Sequence, residues 1–295
     1  MAVGDTGLIT TDVDPIVSSL LLRTALRQAR NDAKLTQAGV GTALTWSAKK
    51  VYRMETGDSP VSRRDAMALT RLYGMDPERT NELLNLAEAA AGPPWWGQYR
   101  RIVSADFGLY LSSERAAETL LSFHPTLIQA LVQTEQYARA ILSATSSPVD
   151  LPQRVKLRQA RREVLDRPHP PQVTILLGEA ALHNRVGTAQ VMREQLLSLR
   201  EQLRGNELEL GIVPFDHCVY PAMLIGFDLA QIAGAAPTLS LELPPISRTT
   251  EGETVLTDLF LSFFAQIRGR ALFGVDAAAL IDTILDQRAR DDSEQ

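Results

Sequence analysis

The chain has 295 residues, 45% of them hydrophobic and 22% charged, with a formal net charge of −5. That composition suits a folded protein of about two domains, and the single cysteine, Cys218, excludes an intrachain disulfide and a cysteine-cluster zinc site. No apolar run approaches the roughly 20 residues that span a bilayer, and the polar start MAVGDTGLITTDVD lacks a basic-then-apolar signal, so a cytoplasmic protein without a membrane partner is expected.

Residues 1–15 read as a flexible arm, rich in Gly and Thr and without a period. From Ile16 the pattern turns helical, with Leu20, Leu21, Ala25, Ala29 and Ala33 along one side of a first helix. Thr36 then caps a short helix in which Val40 and Leu44, four apart, face inward. Ser47 caps the next helix, Val51 and Met54 form its inner side, and Gly57 ends it. The connection between them is only Thr45, Trp46 and Ser47, the length of a helix-turn-helix. Lys49, Lys50 and Arg53 are assigned to the outer face of its second helix. Basic residues on an amphipathic helix, taken alone, favour an ordinary hairpin with a solvated face, so the caps and the short turn carry the assignment.

Ser62 starts a fourth helix lined by Met67, Leu69, Leu72 and Tyr73, and Asp76-Pro77 opens a fifth with Leu83, Leu84, Leu86 and Ala87 inside. These helices bound a domain at 16–91. Between Val17 and Met75 ten basic residues stand against four acidic ones, which leaves the rest of the chain acidic. A basic module beside an acidic one is an electrostatic footprint of nucleic-acid binding. Gly92, Pro93 and Pro94 break the pattern in a linker at 92–98. Trp95-Trp96 within it read as an aromatic plug or as a stacking platform.

The remaining domain, 99–288, mixes periods. Helices are expected at Ser113–Phe123, Glu135–Ser143, Leu151–Leu165, Thr188–Leu203, Thr254–Arg270 and Asp276–Gln287. Strands are expected at Val173–Leu177, Leu208–Phe215, Leu224–Leu229 and Leu239–Leu243, and a charged tail, 289–295, should fray. The fold class is therefore mainly α with a mixed α+β second domain: a five-helix bundle followed by an α/β regulatory domain.

No constellation points to catalysis. There is no G-x-S-x-G, P-loop or G-x-G-x-x-G run. The histidines, His124, His169, His183 and His217, have no metal-ligand spacing. Asp216-His217-Cys218 is the most suggestive triplet, but neighbours on an extended strand point to opposite faces. Glu179 reads as a helix-start carboxylate more economically than as a general acid or base. No enzyme, catalytic residue, metal or cofactor is expected.

The run from Leu26 to Asp76 resembles the Cro/Xre-type helix-turn-helix domains. The resemblance rests on LTQ at Leu35–Gln37, WS at Trp46 and Ser47, KV at Lys50 and Val51, R-x-E-x-G from Arg53 to Gly57, and LYG at Leu72–Gly74. Gly41 stands where that family usually has alanine, and Thr45 where its turn usually has glycine. Glycines 39 and 41 cost a helix roughly 1 kcal/mol each against alanine, and Thr45 is strained if the turn needs positive φ. LVQTEQYARA, EAALHNRVG and MREQL, within 131–197, resemble a domain of unknown function that commonly follows such a module in actinobacterial regulators. Here Gln129-Ala130 replaces that family's usual proline-glycine. The resemblance implies a regulator of development or specialised metabolism, often encoded beside a small acidic partner protein.

The leading expectation is a sequence-specific DNA-binding transcriptional regulator whose partner is double-stranded DNA. Ser47 and Ala48 open the recognition helix, with Ala48 and Lys49 facing bases near its start and Lys50 and Arg53 further along. Gln37 helps the amides of the preceding helix hold a phosphate. A homodimer fits a palindromic operator, and the second domain is assigned dimer contacts, partner binding or a small-molecule effector. Two other readings stand: a partner- or small-molecule-binding module with weak DNA binding, and a second domain with unrecognised enzymatic activity.

Overall fold

In the computed structural model, which describes residues 14–205, 207–217, 225–243, 246–251 and 255–293, the chain divides into the units Met1–Gly97 and Gln98–Gln295. Most of the arm expected at 1–15, and Cys218, lie outside the described residues.

The first unit is five helices: α1 (Pro15–Asp32), α2 (Gln37–Leu44), α3 (Ala48–Thr56), α4 (Arg63–Leu72) and α5 (Pro77–Ala89). Each starts where a side-chain oxygen can take an orphan amide. Asp14, Thr36, Ser47, Ser62 and Asp76 accept from the amides of Ile16, Gly39, Lys50, Asp65 and Arg79. The core gathers Leu22, Leu26, Val40, Val51, Met54, Leu69, Leu83 and Leu84. Helix α1 therefore faces the core through Leu22 and Leu26, and Ala33 is exposed. Of the side expected from sequence, Leu20 is buried and Leu21 and Ala25 pack against the core, while its far end at Ala33 stays in solvent.

The second unit begins with α6 (Ala105–Ala116) and β1 (Thr119–His124), then α7 (Glu135–Ser143) and α8 (Leu151–Arg161), which tightens into a 3₁₀ turn at Arg162–Val164. There follow β2 (Gln172–Gly178), α9 (Ala180–His183), α10 (Ala189–Gln202), β3 (Glu209–Val213), β4 (Phe227–Gln231), β5 (Thr238–Leu243), β6 (Ile246–Glu251), α11 (Val255–Arg268), β7 (Leu272–Phe273) and α12 (Gly274–Ser293). The strands form one sheet in the order β6-β5-β4-β1-β2-β3-β7. β1, β2 and β3 run parallel, and β4 pairs antiparallel with β1, so strand direction reverses at the β1–β4 seam.

Strand β1 corrects the helix expected at Ser113–Phe123. The helix ends at Ala116 and Ala117 turns extended, with φ −65° and ψ 146°. The apolar run that follows is the sheet's central strand. Parallel strands are covered on both faces. Ile175 and Leu177 pack on one side with Met192, Leu196 and Ile281, while Leu176 packs on the other with Phe227, Phe260 and Phe264. Glu179 does stand at a helix start. Its carboxylate accepts from the Phe215 amide at 2.9 Å and meets His183 Nε2 at 3.3 Å, tying the ends of β2 and β3 together.

Candidate nucleic-acid interface

The helix-turn-helix is closed by one unusual backbone position and one close backbone approach. Thr45 caps α2 in the left-handed region, φ 57° and ψ 39°, and its amide reaches Gly41 O and Thr42 O. A β-branched residue there costs roughly 1–2 kcal/mol of strain. Gly41 answers a different need. A Cβ on it would lie 2.8 Å from the Trp46 carbonyl oxygen and 3.2 Å from the Ala48 amide. Glycine lets the turn fold down onto α2, so that Trp46 N donates to Gly41 O at 2.8 Å.

Alanine at position 41 recovers about 1 kcal/mol of helix propensity. It also forces backbone apart where no flexible side chain can yield, and overpacking of this kind costs about 1–3 kcal/mol. Gly41→Ala is therefore expected to lower the melting temperature of the first unit, followed by fluorescence of Trp46, Trp95 and Trp96, all of which lie in it. A rise in melting temperature contradicts the close-packed turn.

Helix α3 advances 100° per residue, which sorts its side chains. Val51 and Met54 are buried. Ala48, Lys49, Tyr52 and Arg53 share the solvent side, with Tyr52 52% exposed. Arg53 extends along this side, and its Nη2 donates to Asp58 O at 3.3 Å. Lys50 is different. It lies on the flank, its Nζ 2.6 Å from Asp65 Oδ1 and 3.7 Å above the Trp46 ring. Ser47 Oγ accepts from the Lys50 amide at 3.1 Å, so it is fixed as a cap.

The inner flank of α3 ends at Glu55, the acidic residue of the R-x-E-x-G run. Arg30 donates to both its oxygens, at 2.6 and 3.1 Å, and Gln37 Nε2 donates at 2.7 Å. Arg30 also reaches Leu35 O at 2.7 Å. One carboxylate thus joins α1, α2 and α3, and it holds Gln37 at the start of α2. The bond to Glu55 raises the Arg30 guanidinium further above its usual range. Burial, aided by the Glu55 charge, pushes the nearby Tyr73 hydroxyl up to about 12.

The second unit holds a polar seam inside its core. At the β1–β4 junction Asp228 Oδ1 is met by Ser122 Oγ at 2.5 Å, His124 Nε2 at 3.2 Å and Gln129 Nε2 at 3.3 Å. All four residues are at most 4% exposed. Burial alone raises a carboxyl, but the His124 charge and the bonds from His124 and Ser122 prevail and hold Asp228 at about 2. An ionised Asp228 accepts and cannot donate, so His124 Nε2 carries the proton in this contact. Ser122 donates to the carboxylate and not to the imidazole, so the three are not ordered as nucleophile, base and orienter.

Next to it, Arg161 clasps Glu114 through Nε at 2.9 Å and Nη2 at 2.7 Å. Nη2 also donates to the Tyr110 hydroxyl at 3.0 Å, and that hydroxyl donates to Glu114 Oε2 at 2.8 Å. Burial, then the charges of Asp228 and Glu114, push Tyr110 well above its usual range. Spacing along the chain reveals only the Tyr110–Glu114 pair, four residues apart on α6, whereas Arg161 lies 47 residues from Glu114 and Asp228 lies 106 from Ser122. His217 falls in a 3₁₀ turn at Phe215–His217, with Nδ1 3.1 Å from Arg270 O. Among the described residues no group of three or more His, Cys, Asp or Glu side chains could hold a metal ion, and no helix is long and apolar enough to cross a membrane.

A family model described as a helix-turn-helix domain matches residues 21–83. A second, described as a domain of unknown function (DUF5753), matches residues 107–283. No curated protein and no solved structure matches the chain.

Proposed function

Because the chain belongs to the family of this domain of unknown function and carries a helix-turn-helix domain before it, we propose that it is a sequence-specific DNA-binding transcriptional regulator. In this reading α3 enters the major groove. The observation that carries the proposal is the sorted face of α3: Ala48, Lys49, Tyr52 and Arg53 stand together in solvent at one side of a tightly closed turn. An arginine or lysine on guanine O6/N7 is the commonest specific base contact. Lys49 and Arg53 are the cations placed to make it, and Tyr52 adds an apolar contact between them. Gln37, held by Glu55, sits where the first amides of α2 can take a phosphate. The second unit serves as the dimerising or effector-binding part, and a two-fold dimer would read a palindromic operator with half-sites about one helical turn apart.

Fluorescence anisotropy on DNA upstream of the protein's own gene, against a scrambled duplex and over several salt concentrations, tests this reading. Selective binding is expected. Arg53→Ala should lower operator affinity by about 1–3 kcal/mol and relax one base position in a binding-site selection. Equal, weak binding of wild type to both duplexes contradicts the regulator and moves the function to the second unit and its partner.

A further inference from the structure

We propose that Lys50 is a positioning residue for DNA recognition: clamped between Trp46 and Asp65, it sets the angle of α3 instead of contacting DNA. The inference rests on the regulator reading and refines it. The geometry has three parts. First, Lys50 stands at the edge of the outward face, about 60° around the helix from Arg53 and about 40° from buried Met54 on the other side, as the 3.6-residue period requires.

Second, both ends of the clamp are themselves fixed. Asp65 is the third residue of α4; its Oδ2 accepts from Ser62 Oγ at 2.8 Å while that same hydroxyl accepts from the Asp65 amide at 3.1 Å. Trp46 is anchored through its amide to Gly41 O at 2.8 Å and packs against the core of the unit. Third, the ammonium is already engaged. It lies 2.6 Å from a carboxylate and 3.7 Å from an aromatic centroid, with the side chain 38% exposed. A charge-assisted bond and a cation–π contact made together hold it more firmly than a surface ion pair alone.

The consequence is mechanical. Glu55 ties the C-terminal half of α3 to α1 and α2, and the Lys50 clamp ties its N-terminal half to α4 and the turn. The half of α3 that meets base edges is the half that Lys50 holds. A helix that rocks there loses base registry while it keeps its general attraction to phosphate.

The test uses the full chain and four variants: Lys50→Met, Lys50→Arg, Asp65→Asn, and Lys50→Met with Asp65→Asn. Binding to operator and scrambled duplexes is measured over a salt series, and amide exchange of α3 is followed without DNA. On this proposal Lys50→Met lowers the operator-to-scrambled ratio about tenfold and leaves the slope of log affinity against log salt unchanged. Asp65→Asn does the same, the double variant adds little, and Lys50→Arg restores the ratio. Exchange of the bonded amides near the start of α3, those of Lys50 and Val51, speeds up equally in Lys50→Met and Asp65→Asn.

A fall in the salt slope by about 0.9, with affinity lost equally on both duplexes, makes Lys50 a phosphate contact and overturns the clamp. Lost discrimination in Lys50→Met with none in Asp65→Asn makes it a base contact, and also overturns it. Unchanged α3 exchange in both variants overturns the clamp whatever DNA does. Wild type that does not discriminate between duplexes removes the regulator reading instead, and the exchange data alone then decide the clamp.

Discussion

Arg161→Met is expected to destabilise the second unit by about 3–5 kcal/mol, the cost of leaving a buried charge without its partner. Glu114 is 2% exposed and receives two bonds from the guanidinium. Methionine fills the stem's volume but offers no donor, so Glu114 must stay charged in a poor dielectric or take up a proton. The Tyr110 hydroxyl loses a donor at the same time. For a unit of this size the loss corresponds to a fall of roughly 6–20 °C in melting temperature. Calorimetry on the full chain measures it, and hydrogen exchange should assign it to α6, α8 and the neighbouring strands. Arg161→Met combined with Glu114→Leu should regain much of the loss, since an apolar replacement of both partners removes the desolvation cost as well. A single variant within 1 kcal/mol of wild type, an order-of-magnitude threshold, contradicts a pair held dry and charged.

Acid should act on the same seam through Asp228. Its carboxyl sits at about 2, below the ordinary value of 3.8 it takes when unfolded. A depressed carboxylate contributes stability that is complete above the unfolded value and lost as pH falls through the folded one. The window is therefore about pH 4 down to about pH 2, and the contribution is on the order of 2 kcal/mol. Asp228→Asn removes the titrating group and replaces an acceptor by an amide that must also donate, facing Ser122 and Gln129. The variant should be less stable than wild type at pH 6, with a gap that narrows by pH 2.5. Urea unfolding at the two pH values measures this. A gap that stays constant shows that acid unfolding runs through other carboxylates.

The legible parts of the fold share a physical trait: their signals are local. Helix α7 was bounded correctly at Glu135–Ser143 because Thr134 caps it and its inner residues recur at helical spacing. Strands β2 and β5 stand out as short apolar runs beside Pro, Gly or Ala. The expected turn at Thr45–Ser47 is the one that forms, and the strain anticipated at Thr45 is present as a left-handed backbone. Gly41 was read only as a helix weakness, because the carbonyl it accommodates belongs to the turn five residues on. Strand β1 was read as helix since its preceding residues, Glu114 to Glu118, favour helix, and a central strand buried on both faces shows no alternation. Lys50 stands about 60° around the helix from Arg53, so the helical period alone keeps it beside the outward cations. Its partner Asp65, fifteen residues away, could not be read from spacing. The buried seam joins charges from distant segments and leaves no local pattern at all.

The separation between β1 and β4 also shapes how the chain is made. Ser122 and Asp228 lie opposite each other in register, yet 106 residues separate them. A ribosome adding about 5–20 residues per second needs on the order of 5–20 s to deliver β4 after β1. During that time β1 can pair with β2 on one side, but its other edge offers unmatched amides and carbonyls beside Ser122 and His124. An open edge of this kind is a template for pairing with another nascent chain. The helical first unit, built from contacts close in sequence, can finish long before. Slowing elongation between β1 and β4 should therefore raise the insoluble fraction through the second unit, and so should crowding of nascent chains at high expression.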